Sequence, residues 1–198
     1  MNVLVAGATG KTGRRLIGEL QNKGHTPIAM VRESSDTSVL PQGAETRLGD
    51  LKNLQDDICQ DCDAVVFAAG SGSDTSEEMT MKVDRDGAMR LVDLAAKSGV
   101  ARFVMLSSVG ADQPEQGGNM QHYLQAKHDA DEHLKASGLT YAILRPVRLT
   151  DDDGQRDMRF GDGVDPGASA ARGDVAAALA EAVDDENWSG RVLLMQSA

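Results

Sequence analysis

No stretch of this 198-residue sequence approaches the ~20 consecutive apolar residues that a membrane-spanning helix needs. A basic leader is missing too. Met1 runs directly into a strand-like segment, so a soluble, cytoplasmic protein is the expectation. Positive charge is in deficit, with 20 Lys and Arg against 31 Asp and Glu and a net charge of −11. Such a surface repels phosphate backbones and anionic head groups, which excludes nucleic acid and membranes as general partners. Cysteine is reduced to Cys59 and Cys62. Two thiols do not make a four-ligand zinc site. Although spaced as CxxC, they close a candidate helix before a strand instead of opening one, where a reactive thiolate would sit. Ordinary semi-buried thiols are expected. His25, His122, His128 and His133 fall at no metal-ligand spacing and none has an evident carboxylate orienter; a pocket-lining place for His122 beside Tyr123 is the lesser reading. Asp151 to Asp153 read as solvated loop, and the turn at 161–166 lacks the twelve-residue calcium pattern. No metal is expected.

The length fits one domain, residues 1–198, which buries roughly 70% of its unfolded surface without staples. Of the acidic residues 22 are Asp, and only 7 of the basic residues are Lys. An Asp-rich, Lys-poor surface suits high salt, where self-repulsion is screened, although a solvated acidic surface is the plainer reading.

Short β-rich runs alternate with helical patterns along the whole chain. The runs are Val3 to Gly7, Thr26 to Arg32, Glu45 to Leu48, Ala64 to Ala69, Arg102 to Ser107, Thr140 to Arg145 and Arg191 to Met195. Several are apolar on both faces, as strands of a helix-covered parallel sheet must be. Helical candidates lie near 12–23, 53–59, 78–98, 122–136 and 173–185. The rhythm predicts an α/β fold: a single Rossmann-like, doubly wound parallel sheet of about seven strands with helices on both faces. Residues 147–171, rich in Asp and Gly, break the rhythm after the sixth strand and are expected to form a lid or substrate loop.

The first strand runs into Gly7-Ala8-Thr9-Gly10-Lys11-Thr12-Gly13 and then a helical pattern. Gly7 permits a tight turn, Gly10 lets backbone approach a pyrophosphate, and Gly13 lets helix pack close on strand. Free N–H groups at the helix start, aided by its dipole, then face the phosphates. This is a dinucleotide-binding turn. The second strand ends in Arg32 where NAD-selective sites usually carry a carboxylate, and Lys11, Arg14 and Arg15 lie nearby. A guanidinium suits a 2′-phosphate, so NADP(H) is favoured over NAD(H), with Glu33 as the nearest competing carboxylate. Asp50 and Leu51 close the third strand, where Asp can accept from the adenine amino group and Leu can cover the ring. Asp50 could equally cap a helix starting near Asn53. Ala69 and Gly70 end the fourth strand, where small residues let the cofactor lie close.

Tyr123 and Lys127 form a YxxxK arrangement whose spacing puts both side chains on one helix face. An ammonium near a phenol favours the phenolate, and the lysine can also bind the nicotinamide ribose. Ser108, just past the fifth strand, can hydrogen-bond a substrate carbonyl or alcohol.

With these residues in place, the sequence resembles the short-chain dehydrogenase/reductase superfamily. It is most similar to the atypical NAD(P)-binding branch that is NmrA-like and related to NAD-dependent epimerases and dehydratases. GATGKTG, the VR after the second strand, GDL, AAG, SSVGAD, YLQAK and ILRP spread the resemblance over essentially the whole chain. It implies Tyr123 as the acid/base tyrosine, Lys127 as its lysine and Ser108 as the upstream serine, with Ser107 nearer the nicotinamide. The superfamily's asparagine falls on Asp84, a residue usual at this point in the atypical branch, so the resemblance implies Asp84 as a further catalytic position, although a carboxylate cannot donate in a proton relay as an amide does. Pro146 matches the segment whose backbone usually meets the nicotinamide carboxamide. The resemblance also implies that extended members carry a C-terminal substrate domain for nucleotide sugars. Its absence from this sequence favours a smaller or loosely held substrate.

The reading that follows is an NADP-dependent oxidoreductase acting on a small carbonyl, quinone or flavin-like acceptor. An isomerase or dehydratase that retains its cofactor, and a non-catalytic NADP(H) sensor, are the alternatives. Monomer and homodimer stay equally open.

Overall fold

The computed structural model describes residues 1–72 and 75–198. The seven β-rich runs each form a strand: β1 (Asn2–Ala6), β2 (Thr26–Val31), β3 (Glu45–Leu48), β4 (Ala64–Phe67), β5 (Arg102–Leu106), β6 (Thr140–Pro146) and β10 (Arg191–Ser197). Three short strands come from the segment after β6: β7 (Arg148–Thr150), β8 (Met158–Phe160) and β9 (Ser169–Ala171). The main sheet has eight strands in the order β3-β2-β1-β4-β5-β6-β10-β8, all parallel except β8, which runs antiparallel to β10. β7 and β9 pair in parallel as a separate two-stranded sheet. Eight strands thus replace the expected seven, because the segment expected to be loop supplies an edge strand.

Helices cover both faces, as the two-sided apolar strands require. α1 (Lys11–Asn22) buries Leu16, Ile17 and Leu20 with α5 (Arg172–Glu181) over one face, in a core that also takes Val3, Val5 and Trp188. α3 (Ala88–Lys97) and α4 (Gln121–Ala136) cover the other, with Leu91, Leu94, Ala130 and Leu134 against Leu4, Phe67 and Phe103. Ahead of α3 lie α2 (Glu77–Thr80) and a seven-residue π-helical stretch, Met81–Gly87. Such widened turns are rare and recur where a side chain must be re-aimed at a site. This one carries the fully buried Asp84.

Residues 53–59 form no helix. Successive turns run from Asn53 N–H to the Asp50 carbonyl (2.8 Å), Ile58 to Gln55 (3.2 Å) and Gln60 to Asp57 (2.9 Å). So short a segment cannot offset the cost of helix nucleation. Hence the CxxC closes turns, not a helix. Cys59 and Cys62 are both buried, and desolvation pushes the Cys59 thiol up to about 12, as inert thiols behave.

The segment 147–171 is strapped across α1 by charges at four-residue spacing. Lys11 Nζ lies 2.5 Å from Asp151 Oδ2, Arg15 Nε 2.8 Å from Asp153 Oδ1, and Glu19 Oε1 2.5 Å from Arg156 Nη2. Beneath, the buried Asp174 accepts from the Arg156 backbone N–H at 2.8 Å and from Ser197 Oγ at 2.6 Å.

Candidate functional site

At the carboxyl ends of β1 and β4 the backbone packs on itself more closely than side chains would allow. Gly7 has φ +81°, and a Cβ there would stand 2.6 Å from the Ala69 backbone. A Cβ on Gly13 would collide with the Gly7 carbonyl, and one on Gly10 would stand 3.1 Å from it. No side chain caps α1 at Gly10, and its first bond runs from Arg14 N–H to the Gly10 carbonyl at 3.0 Å. The N–H groups of Lys11, Thr12 and Gly13 therefore precede the helical ladder, free to meet an anion. A diphosphate fits this cradle. Ala8 is buried beneath the turn, while Thr9 and Gly10 line the cleft above it.

That cleft, of about 400 Å³, extends from the glycine turn to Arg32, Ser35, Asp50, Leu51 and Lys52, with Ala69 and Gly70 on its floor. The Arg32 backbone N–H donates to Ser35 Oγ at 3.0 Å, and its exposed guanidinium has no ion-pair partner among the described residues. Lys11 and Arg15, by contrast, each pair with a carboxylate of the strap, Asp151 and Asp153. The Asp50 Oδ1 accepts from the Lys52 N–H at 2.9 Å, closing a turn instead of capping a helix. Leu51 is packed from below by Gly87, whose Cβ would stand 2.8 Å from it.

A second cleft of about 680 Å³ shares Gly10, Ala68, Ala69, Gly70 and Ser71 with the first, so the two form one trough. Ser107, His122, Tyr123 and Lys127 line it, with Lys11 and Thr12 at the glycine end. Ser108 and Pro146 are not among its lining residues. The Ser108 hydroxyl donates to the Val109 carbonyl at 3.2 Å, and the Pro146 carbonyl accepts from the Val109 N–H at 3.0 Å. The structure therefore groups Ser107, not Ser108, with Tyr123 and Lys127.

Under the cleft floor lies a buried charge cluster. Lys127, 3% exposed, places Nζ 3.0 Å from Asp84 Oδ1, while the other Asp84 oxygen accepts from the Ser71 N–H at 2.9 Å. Nζ also stands 5.7 Å from the Tyr123 ring centre. Burial alone would lower the Lys127 pKa. Asp84, with Tyr123 and Asp131, reverses the sign and holds it above the ordinary lysine value. Asp84 thus ties Lys127 to the loop after β4, a task for which a carboxylate serves better than an amide.

One helical turn beyond Lys127, the fully buried Asp131 accepts from Ser107 Oγ at 2.8 Å and from Arg145 Nε and Nη2 at 3.0 and 2.9 Å. Burial pushes the Asp131 carboxyl above its ordinary value against the pull of Arg145 and Ser107. A hydroxyl has one proton to give. Because Ser107 gives its proton to Asp131, it offers the cleft only lone pairs. Asp131 and Arg145 were not singled out from sequence, though both left a signal. Asp131 continues the Tyr123, Lys127 spacing by four, and Arg145 is a charge inside an apolar strand.

Among the described residues no three His, Cys, Asp or Glu side chains gather as a metal site would, and no helix is long and apolar enough to cross a membrane.

Comparison with known proteins places this geometry in context. A family model described as NAD(P)H-binding matches residues 7–186. A Bacillus subtilis protein named as an uncharacterized sugar epimerase, YhfK, is 37% identical over 197 residues, covering 96% of this chain and 92% of its own. A solved structure from Bacillus halodurans, named for an NAD-dependent epimerase/dehydratase, superposes with a TM-score of 0.95 at 40% identity, covering 100% of this chain and 94% of that one. The Lactococcus lactis oxidoreductase ylbE gives a TM-score of 0.87 at 29% identity, over 100% of this chain and 91% of its own. The chain belongs to the NAD(P)H-binding family, within the NmrA-like, epimerase/dehydratase-related branch of the atypical short-chain dehydrogenases/reductases.

Proposed function

We propose that the chain is a cytoplasmic NADP-dependent oxidoreductase that reduces a small carbonyl, quinone or flavin-like acceptor. The observation that carries this reading is the single trough, with the glycine cradle and Arg32 at one end and Tyr123, Lys127 and Ser107 at the other. The diphosphate would lie over Gly10 to Gly13, the adenosine between Arg32 and Leu51, and the nicotinamide ribose against Lys127. When bound, the nicotinamide supplies hydride from its C4 position.

The chain's own groups align the substrate and handle the proton. Tyr123 gives its hydroxyl proton to the substrate oxygen as the substrate carbon receives hydride. The two electrons that reduce the carbonyl would come with the hydride of a bound NADPH, and Tyr123 recovers its proton from solvent at the mouth of the cleft. Lys127, kept charged by Asp84, faces the negative charge left on the phenol oxygen. Ser107, its proton spent on Asp131, accepts from an amide or hydroxyl of the bound pair. A quinone or flavin can take hydride without the acid.

The test follows NADPH absorbance against a panel of aldehydes, quinones and flavins. Tyr123→Phe is expected to cut carbonyl turnover about tenfold or more while leaving NADPH affinity nearly intact. Full activity in that variant removes the acid role. No NADPH consumption with any acceptor favours a second reading, supported by the names of the Bacillus relatives: an epimerase or dehydratase that retains its nucleotide and recycles the hydride.

A further inference from the structure

On a chain of net charge −11, the larger cleft is lined among the described residues by Lys11, Lys127, Arg172 and His122, and by no carboxylate. Lys127 is answered from beneath by Asp84. Lys11 and Arg172 share one partner at the rim. Asp151 places Oδ2 2.5 Å from Lys11 Nζ and Oδ1 2.5 Å from Arg172 Nη1, so its carboxylate bridges the two cations. Asp151 is not part of the cleft lining, and its side chain is 57% exposed against 22% for Arg172. Exposed pairs of this kind hold weakly, because solvent screens them and ordering both side chains is costly. Replacing one carboxylate by another on the same two cations loses little. Beside them Leu149, Leu106 and Met120 offer apolar surface for a short carbon skeleton.

We propose that Lys11 and Arg172 form a carboxylate-binding subsite of this cleft, now filled from the rim by Asp151, and that the substrate is a carboxylate-bearing aldehyde or ketone that displaces it. The carbonyl part rests on the oxidoreductase reading; the carboxylate seat does not. Asp151 then acts as an internal placeholder. It keeps the two cations apart from solvent anions and in register until a substrate with a matching group arrives, and neutral carbonyls gain nothing from the exchange.

The experiment uses the full chain saturated with NADP⁺ and calorimetry on two matched pairs, 4-formylbenzoate with benzaldehyde and succinic semialdehyde with butanal. The carboxylate of each pair is expected to bind about tenfold or more tightly, as two charge-assisted contacts allow. Arg172→Gln should abolish that advantage and leave nucleotide binding unchanged. Asp151→Asn, which removes the competitor, should tighten carboxylate binding several-fold. Equal affinity within the pairs, no carboxylate binding at all, an advantage that survives Arg172→Gln, or weaker binding in Asp151→Asn each overturns the subsite. NADPH oxidation on the same pairs separates the two claims. Arg172-dependent binding without turnover leaves the subsite standing and sinks the oxidoreductase reading; turnover without carboxylate preference does the reverse.

Discussion

Lys127 and Arg32 show how differently two cations can be used within one trough. Arg32 is exposed, and its guanidinium is held by no acid among the described residues. If it reads a 2′-phosphate, Arg32→Gln should weaken NADPH binding about ten- to a hundredfold, the worth of a charge-assisted hydrogen bond, and leave NADH binding nearly unchanged. Fluorescence titration with both nucleotides checks this. Lys127 is buried against Asp84, and its folded-state pKa is raised above the ordinary value of 10.5. A charged lysine so placed stabilises the fold fully below its unfolded pKa, and the contribution is lost as pH rises through the higher folded one. Melting temperature in the wild type should therefore fall in strongly alkaline buffer with a component that Lys127→Met lacks. At neutral pH that variant should be less stable by about 3–5 kcal/mol, because it strands the Asp84 carboxylate. That Tyr123 and Lys127 share one cleft with the glycine turn was legible in the sequence, because a spacing of four sets both side chains on one helix face and the glycines follow a strand directly. Asp131 was not, since its role depends on Arg145 and Ser107 arriving from two other strand ends.

Among elements, the segment between β6 and α5 departs furthest from expectation. Its Asp and Gly content reads as loop, yet Gly154 is small because the Asp174 side chain crowds it, and the segment's Asp153 carbonyl in turn crowds Gly173 in the first turn of α5. Periodicity cannot report three-residue strands, and β7 to β9 escape it for that reason. The converse error is the helix expected over 53–59, where a local apolar pattern had no length to support it. The buried Asp174 fastens the strap. Asp174→Ala should cost about 1–3 kcal/mol in urea unfolding, since the Arg156 N–H and Ser197 hydroxyl lose their acceptor. Hydrogen exchange should rise in residues 151–156 while α3 and α4 keep their protection. Uniform deprotection of the whole chain would show instead that Asp174 supports the core.

Over the whole molecule, salt acts in two opposing ways. Self-repulsion from a net charge of −11 is screened, which raises stability, while the exposed ties of Lys11 and Arg172 to Asp151 weaken. Melting temperature is expected to rise between low and molar NaCl, while exchange in the strap grows faster; a flat melting curve would remove any advantage of the acidic surface. The doubly wound layout was legible throughout, because each buried strand is a continuous apolar run that only a helix-covered parallel sheet can accommodate. The strand order carries a consequence for biosynthesis. β10 emerges from the ribosome after every other strand, yet its place is between β6 and β8. Until it arrives, the nascent domain has two open edges facing an empty slot, a state prone to pair with neighbouring chains. A stop codon or protease cut before residue 191 should therefore yield an aggregate, not a shortened but folded domain.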